Sequence, residues 1–242
     1  GIVSPLGNDI ETTWKNIVNG ESGAARITKF DPSDFSTTFA AELKGYDDIS
    51  GLTQKETRRI DPFVQYALTA SDQAIIDANL ALENLDTKRI GVSIGSGIGG
   101  LGSIEDNSII LKEKGPKKIS PFFVPGAIIN MASGNVAIKY NLQGPNISIV
   151  SACSSAGHSI GYSARTISYG DADIMITGGS EAGITPLGLA GFNASKALST
   201  NNENPKKASC PWDKKRDGFL LGEGSGILVL EELDFAKNRG AS

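Results

Sequence analysis

The 242-residue sequence contains one histidine, two cysteines, two methionines and two tryptophans. A single histidine, His158, excludes multi-histidine metal sites and most mixed His–Cys zinc patterns. It also confines any histidine-dependent acid–base step within the chain to that one residue. Two cysteines, Cys153 and Cys210, cannot build a disulfide scaffold. No apolar run approaches the ~20 residues that span a bilayer. No basic segment followed by an apolar stretch marks a secretory leader. There is no basic excess either: 23 Lys and Arg stand against 27 Asp and Glu, a net charge of −4, which argues against a nucleic-acid binder. Position 1 is Gly rather than Met, so the natural start is expected upstream. No repeat period or low-complexity tract is visible. What is abundant is apolar residues, at 39%, and glycine, at 29 residues, clustered beside apolar runs. The expectation is a soluble, cytoplasmic globular protein whose glycines form tight turns.

The chain alternates helical and extended patterns with no linker, so residues 1–242 read as one domain. Residues 9–19 form a first helix ended by Gly20. Thr53 and Glu56 make a capping box, and Asp61-Pro62 starts a longer helix. Phe63, Val64, Ala67, Leu68, Ala74, Ile75 and Ala78 then recur at spacings of mostly three and four. Residues 89–94 read as a strand, followed by the glycine run 95–102 and a polar helix to about Lys114. Another helix is expected over 121–140, with Pro125 and Gly134 as weak points. A short buried strand follows over 146–150, then a helix over 153–169 stopped by Gly170. Strands are expected at 173–177 and 226–230, and a last helical turn at 233–238. Residues 200–218 read as a polar surface excursion. Alternation of this kind predicts a mostly parallel sheet in an α/β layer architecture.

The sharpest local feature is the run from Ile147 to Gly157, where a strand leads through small residues to a cysteine that opens a helix. Unpaired N–H groups and the helix dipole there favour a thiolate and can hold a developing oxyanion. Cys153, Ala156, Gly157, Ile160, Ala164 and Ile167 share one helical face, which points the cysteine inward. A buried inert cysteine is the competing reading. His158 lies five residues on, about 140° away around a helix turning ~100° per residue, so it is rejected as the cysteine's base. Gly95-Ser-Gly97-Ile-Gly-Gly100 fits G-x-G-x-x-G. The acidic residue that a dinucleotide site needs about 20 positions later is replaced by Lys114-Gly-Pro-Lys-Lys. The alternative is that these glycines open space beside an acyl pocket. Lys55, Arg58 and Arg59 fall at i, i+3 and i+4. Lys117-Lys118 and Lys214, Lys215 and Arg216 form further basic clusters that could dock an acidic partner. Asp213 and Asp217 read as turn residues rather than metal ligands.

Gly144, Ile149, Ala152-Cys153-Ser154-Ser155-Ala156 and Ile160 resemble, in type and spacing, the active-site signature of the β-ketoacyl synthases. Further motifs look like that family in order along nearly the whole chain. They are Gly1-Ile-Val-Ser-Pro-Leu-Gly7, Ile94-Gly-Ser-Gly-Ile-Gly-Gly-Leu101, Ile119-Ser-Pro-Phe-Phe-Val-Pro125, Pro186-Leu-Gly, Ala197-Leu-Ser-Thr200 and Pro211-Trp-Asp-x-x-Arg-Asp-Gly-Phe219. Bacterial elongating members are the most similar.

The resemblance implies a thiolase-like αβαβα layered sandwich, of which this chain holds the first half. It implies decarboxylative Claisen condensation of a cysteine-bound acyl group with a malonyl group on acyl carrier protein. Cys153 then resembles the acylated nucleophile, its own N–H contributing to the oxyanion site. Ile98 and Phe192 look like acyl-pocket walls, and Phe123 like a wall contributed across a homodimer interface. Lys55, Arg58, Arg59, Lys117, Lys118 and Lys196 fall where the family docks its acidic carrier. No metal, no other cofactor, no nucleic acid and no membrane is expected.

The family's second-half histidines, lysine and Gly-Phe-Gly loop have no counterpart here. The chain thus looks like roughly the first three fifths of such an enzyme, expected to be inactive alone. A thiolase, a non-catalytic chain-length subunit and a nucleotide-binding domain are the rival readings.

Overall fold

The computed structural model describes residues 1–46 and 51–241. Helix α1 (Ile10–Val18) is capped by Asp9, whose carboxylate accepts from the N–H of Thr12, and it ends before Gly20 in a left-handed conformation. After the short strands β2 (Ala25–Arg26) and β3 (Phe39–Ala40), the Thr53–Glu56 capping box opens α2 (Gln54–Thr57). That helix ends before Arg58, so Lys55, Arg58 and Arg59 do not share one helical face. Asp61 and Pro62 start α3 (Pro62–Asp77), which buries Phe63, Val64, Ala67, Leu68, Ala74 and Ile75 as the periodicity predicts.

The main sheet holds β1 (Ile2–Val3), β4 (Ile90–Gly95), β5 (Asn146–Ile147), β6 (Ile174–Ala182) and β7 (Glu223–Glu231), in the order β1-β7-β6-β4-β5. A two-stranded ribbon pairs β2 (Ala25–Arg26) with β3 (Phe39–Ala40). Strand β4 is parallel to both β5 and β6, but β7 runs antiparallel to β6, and β1 antiparallel to β7. The sheet is therefore mixed, not mostly parallel. The connection from β6 to β7 leaves and returns at one end of the sheet, so Ala182 pairs with Glu223 and Ile174 with Glu231. A return at the same end forces the antiparallel direction.

Helices α3 and α6 (Met131–Tyr140) cover one face of the sheet, and α7 (Ser155–Ser168) covers the other. The apolar core lies on the α3/α6 side, around Phe63, Val64, Val136, Ile90, Ile94 and Ile176. The helix expected over 121–140 is two helices, α5 (Phe123–Ala127) and α6. The break falls at 128–130. Pro125 is tolerated as the third residue of α5, where its missing N–H has no helical partner to lose. Gly134 lies within α6, with Met131 packed against it. Helix α4 (Leu101–Lys114) follows the glycine run. Helix α8 (Pro186–Ala194) lies in the β6–β7 connection, and α9 (Leu233–Asn238) follows β7. The strand expected over 146–150 is shorter and less buried. Only Asn146 and Ile147 pair, Asn146 is exposed and Val150 is 55% exposed. These residues form an edge with a neighbour on one side only.

Helix α7 departs most from its sequence pattern. Its buried face is Ser155, Ser159, Ser163 and Thr166, while Gly157 and Ala164 are exposed. Close approach explains the inversion. A Cβ on Gly95 would lie 2.6 Å from the Ser155 carbonyl oxygen, and one on Gly179 would lie 2.5 Å from the Ala156 Cβ. The helix sits on the glycine-paved sheet at a distance that serines fit and larger apolar side chains do not.

Candidate active site

Cys153 does not belong to the helix it precedes; it stands just before Ser154, the residue capping α7. It is exposed, so the inward orientation expected from the helical face is not observed. The turn that presents it is strained: Ala152 has φ 53°, a left-handed conformation that costs an L-residue about 1–2 kcal/mol. Ser155 holds that turn. Its Oγ donates to the Ala152 carbonyl at 2.7 Å and accepts from the Ser151 N–H at 2.9 Å. The Ser155 N–H also reaches the Ala152 carbonyl, at 3.1 Å. The sequence analysis named Ser155 only as part of the run that resembles the family signature. In the structure it is the clamp of the cysteine turn.

Cys153 opens onto a cavity of about 750 Å³ whose wall includes Ile98, Ala156, Glu181, Phe192 and Phe219. Phe192 meets Phe219 edge to face at 5.3 Å between centroids, a favoured aromatic geometry. Phe123 is absent from this wall. It lines a second depression, of about 490 Å³, with Val124, Ile128 and Val150. Ile98 belongs to both walls. None of the described residues around the Cys153 cavity is a histidine or lysine. His158 is exposed and hydrogen-bonded through Nδ1 to the Ser151 Oγ at 2.6 Å.

Among the described residues, two carboxylates face the cavity, and neither is free. Glu223 is buried and bound to the Lys29 Nζ at 2.5 Å, and it accepts from the Leu43 N–H at 2.9 Å. Glu181 collects the glycine loop. Its Oε2 accepts from the N–H groups of Gly97 at 2.6 Å and Ile98 at 3.1 Å. Its Oε1 accepts from the Ser96 hydroxyl at 2.9 Å and the Gly99 N–H at 3.3 Å. Converging loop amides of this kind are what a phosphate would use. Here a carboxylate of the protein occupies them, so the nucleotide reading of Gly95–Gly100 fails. The sequence analysis missed Glu181. The available signal was a lone acid near the end of the otherwise uncharged strand Ile174–Ala182.

Lys55, Arg58, Arg59, Lys117, Lys118 and Lys196 are all exposed. Arg58 and Arg59 border a depression shared with Ser120 and Phe122, and the Arg59 guanidinium stacks over the Phe122 ring at 4.4 Å. Lys117 and Lys118 lie in the turn Pro116–Lys118 at the end of α4. Lys196 follows α8, in a left-handed conformation. Asp213 accepts from the Lys215 N–H, and Asp217 from the Thr200 N–H, so both serve turns. A hydrogen bond from Ser199 is the chief cause that holds the Asp217 carboxyl below its ordinary range. Among the described residues, no cluster of three His, Cys, Asp or Glu side chains could hold a metal ion. No described helix is long and apolar enough to cross a membrane.

A cysteine-bearing turn at a helix start thus stands over a largely apolar cavity in a glycine-paved α/β sheet. The chain belongs to the β-ketoacyl synthase family: residues 1–236 match that family's N-terminal domain. It is 53% identical over 241 residues to the 3-oxoacyl-[acyl-carrier-protein] synthase 2 of Vibrio cholerae and 54% identical over 242 residues to that of Coxiella burnetii. All of this chain is matched in both cases, and 58% of each relative, so it spans little more than half their length. Among solved structures it is similar to a β-ketoacyl synthase from Burkholderia phymatum, with TM-score 0.89, 30% identity, and coverage of 100% of this chain and 60% of that one. It is also similar to a ketosynthase solved in complex with a type II PKS acyl carrier protein, with TM-score 0.87, 33% identity, and coverage of 100% and 59%. The thiolase-like layered fold is thus shared by this chain, which carries the sheet and the helices of its first half.

Proposed function

We propose that the protein carrying this chain is an elongating β-ketoacyl synthase and that this chain supplies its nucleophile, acyl pocket and carrier-docking residues. The observation that carries the reading is the placement of Cys153, on a strained turn at the start of α7 and at the mouth of a largely apolar cavity. In the first step the Cys153 thiolate attacks the thioester carbonyl of an acyl group on carrier protein. A bond forms from Sγ to the acyl carbon, the bond to the carrier's sulfur breaks, and that thiol leaves with a proton. The dipole of α7 favours the thiolate, and the Cys153 N–H meets the developing oxyanion. In the second step malonyl carrier protein loses carbon dioxide, leaving its electron pair as an enolate. The enolate carbon bonds to the acyl carbon and expels the Cys153 thiolate.

Ile98 and Phe192 bound the acyl chain beside Cys153, and Phe123 bounds it from a second copy of the protein. The exposed Val124, Ile128 and Val150 beside edge strand β5 support such pairing into a homodimer. The acidic carrier docks on Lys55, Arg58, Arg59, Lys117, Lys118 and Lys196. The protein works in the cytoplasm and needs no cofactor. The test is incubation of the full-length protein with an acyl carrier thioester, followed by peptide mass mapping. The acyl group is expected on Cys153; acylation of Cys210 alone overturns the assignment.

A further inference from the structure

We infer that Glu181 is a positioning residue for acyl-chain selection, acting through the loop that carries Ile98. The inference rests on the acyl-transfer reading above and concerns a residue to which that reading gives no role. Glu181 does not act as a free base. Four donors from one loop, the Ser96 hydroxyl and the N–H groups of Gly97, Ile98 and Gly99, converge on its two oxygens. These four contacts match the roughly four lone-pair directions of a carboxylate. The loop has little other support from its own side chains. Two of the bonded residues are glycines, and Gly99 is left-handed at φ 77°. Its N–H also donates to the Ser96 Oγ at 3.1 Å, which ties the turn a second time to the group Glu181 accepts from.

The consequence falls on Ile98. It is the one side chain in this four-residue loop larger than serine, and it stands in the wall between the Cys153 cavity and the Phe123 depression. An acyl chain anchored on Cys153 that extends toward Phe123 must pass it. A carboxylate fixing the amides on both sides of Ile98 therefore fixes the barrier. The bonds are charge-assisted and partly buried, the strong class of hydrogen bond.

The test uses the full-length protein and its Glu181→Gln variant, which keeps the shape and loses the charge. Acylation of Cys153 by a butyryl and a dodecanoyl carrier thioester is measured, together with amide exchange at Gly97, Ile98 and Gly99. Alkylation of Cys153 by iodoacetamide serves as the readout of the nucleophile itself. Exchange of the loop amides is expected to accelerate about tenfold or more. The ratio of dodecanoyl to butyryl acylation is expected to rise about tenfold, because a loosened Ile98 no longer closes the passage. Alkylation of Cys153 is expected to stay at the parent rate. An unchanged ratio overturns the proposal, and so does a parallel fall in alkylation and in both acylations, which would place Glu181 on the nucleophile. If the variant does not fold, Ser96→Ala removes one donor without touching the charge; a smaller shift of the ratio in the same direction supports the proposal and none overturns it. A parent protein that takes neither acyl group on Cys153 overturns the functional reading instead. In that case an unchanged exchange rate still overturns the role of Glu181 in holding the loop, and a faster one retains it.

Discussion

Gly95 and Ser159 meet so closely that a Cβ added to the glycine would lie 2.8 Å from the serine Oγ. The same Cβ would lie 2.6 Å from the carbonyl oxygen of Ser155, which is backbone and cannot rotate away. Gly95→Ala is therefore expected to destabilise the fold by about 1–3 kcal/mol, as overpacking does. Ser159 differs. Its Oγ is buried without a hydrogen-bond partner among the described residues. Ser159→Ala removes an unpaired hydroxyl and leaves the volume nearly unchanged, so stability is expected to stay within about 0.5 kcal/mol of the parent or to rise. Urea midpoints at constant slope check both.

Docking of an acidic carrier is expected to weaken when Arg58 is reversed to Glu, with the fold intact, because Arg58 is exposed and makes no ion pair among the described residues. Arg59→Glu should weaken it too and also lose the stacking on Phe122, worth about 0.5–1 kcal/mol. Both effects should shrink with added salt, since exposed charges are screened over about 8–10 Å at physiological ionic strength. Binding titrations of the full-length protein at two salt concentrations check this. Equal affinity for parent and Arg58→Glu at low salt would remove Arg58 from the docking surface.

Asp61 carries a pH dependence. Its carboxylate caps α3 at the Phe63 N–H and ties α4 through the Ser103 N–H at 3.0 Å. Burial pushes its carboxyl above the ordinary range, and the Ser103 bonds only partly oppose the shift. A raised acid holds its proton more tightly when folded than when unfolded. Its contribution is therefore most favourable below the unfolded value and declines as pH rises through the folded one. Asp61→Asn removes this decline, so the variant's stability should vary less with pH across the mildly acidic range. At neutral pH it should still be less stable than the parent, because its amide has one oxygen to accept from the Phe63 and Ser103 N–H groups and turns its N–H₂ toward the other. Urea denaturation at a series of pH values reads both.

The purified 242-residue chain is expected not to decarboxylate malonyl carrier protein at a rate comparable to full-length protein. Decarboxylation develops charge on the thioester oxygen, and losing one preplaced donor typically costs about 10²–10³ in rate. Among the described residues no histidine or lysine lines the Cys153 cavity, and the sequence's only histidine is engaged with Ser151. Release of carbon dioxide by a preparation of confirmed mass is the measurement. Turnover matching the full-length protein would show that donors within this chain suffice.

Local chemistry written in adjacent residues was legible. The Thr53–Glu56 box and Asp61-Pro62 announce helix starts because a cap acts within one turn. The α3 stripe was legible because its partner is an apolar sheet face, for which hydrophobic period is the right signal. The same rule misread α7. There the limiting quantity was distance, set by Gly95, 60 residues before the Ser155 it meets, and by Gly179, 23 residues after the Ala156 it meets. A helix pressed against bare backbone buries small polar groups, and here Ile160 and Ile167 are left only half-buried.

The residues around Cys153 by themselves determined that a thiol would stand at a helix start, since strand, small residues and helix are consecutive. Its exposure, the clamp by Ser155 and the cavity before it were decided by tertiary structure. So was the fate of the glycine loop. Gly95–Gly100 carries the amides of an anion site, and nothing within it says which anion. Strand β6, parallel to β4, brings Glu181 alongside from more than 80 residues away. A carboxylate supplied at that distance in sequence is fixed by sheet register, and register is a property of the paired strands rather than of either segment alone.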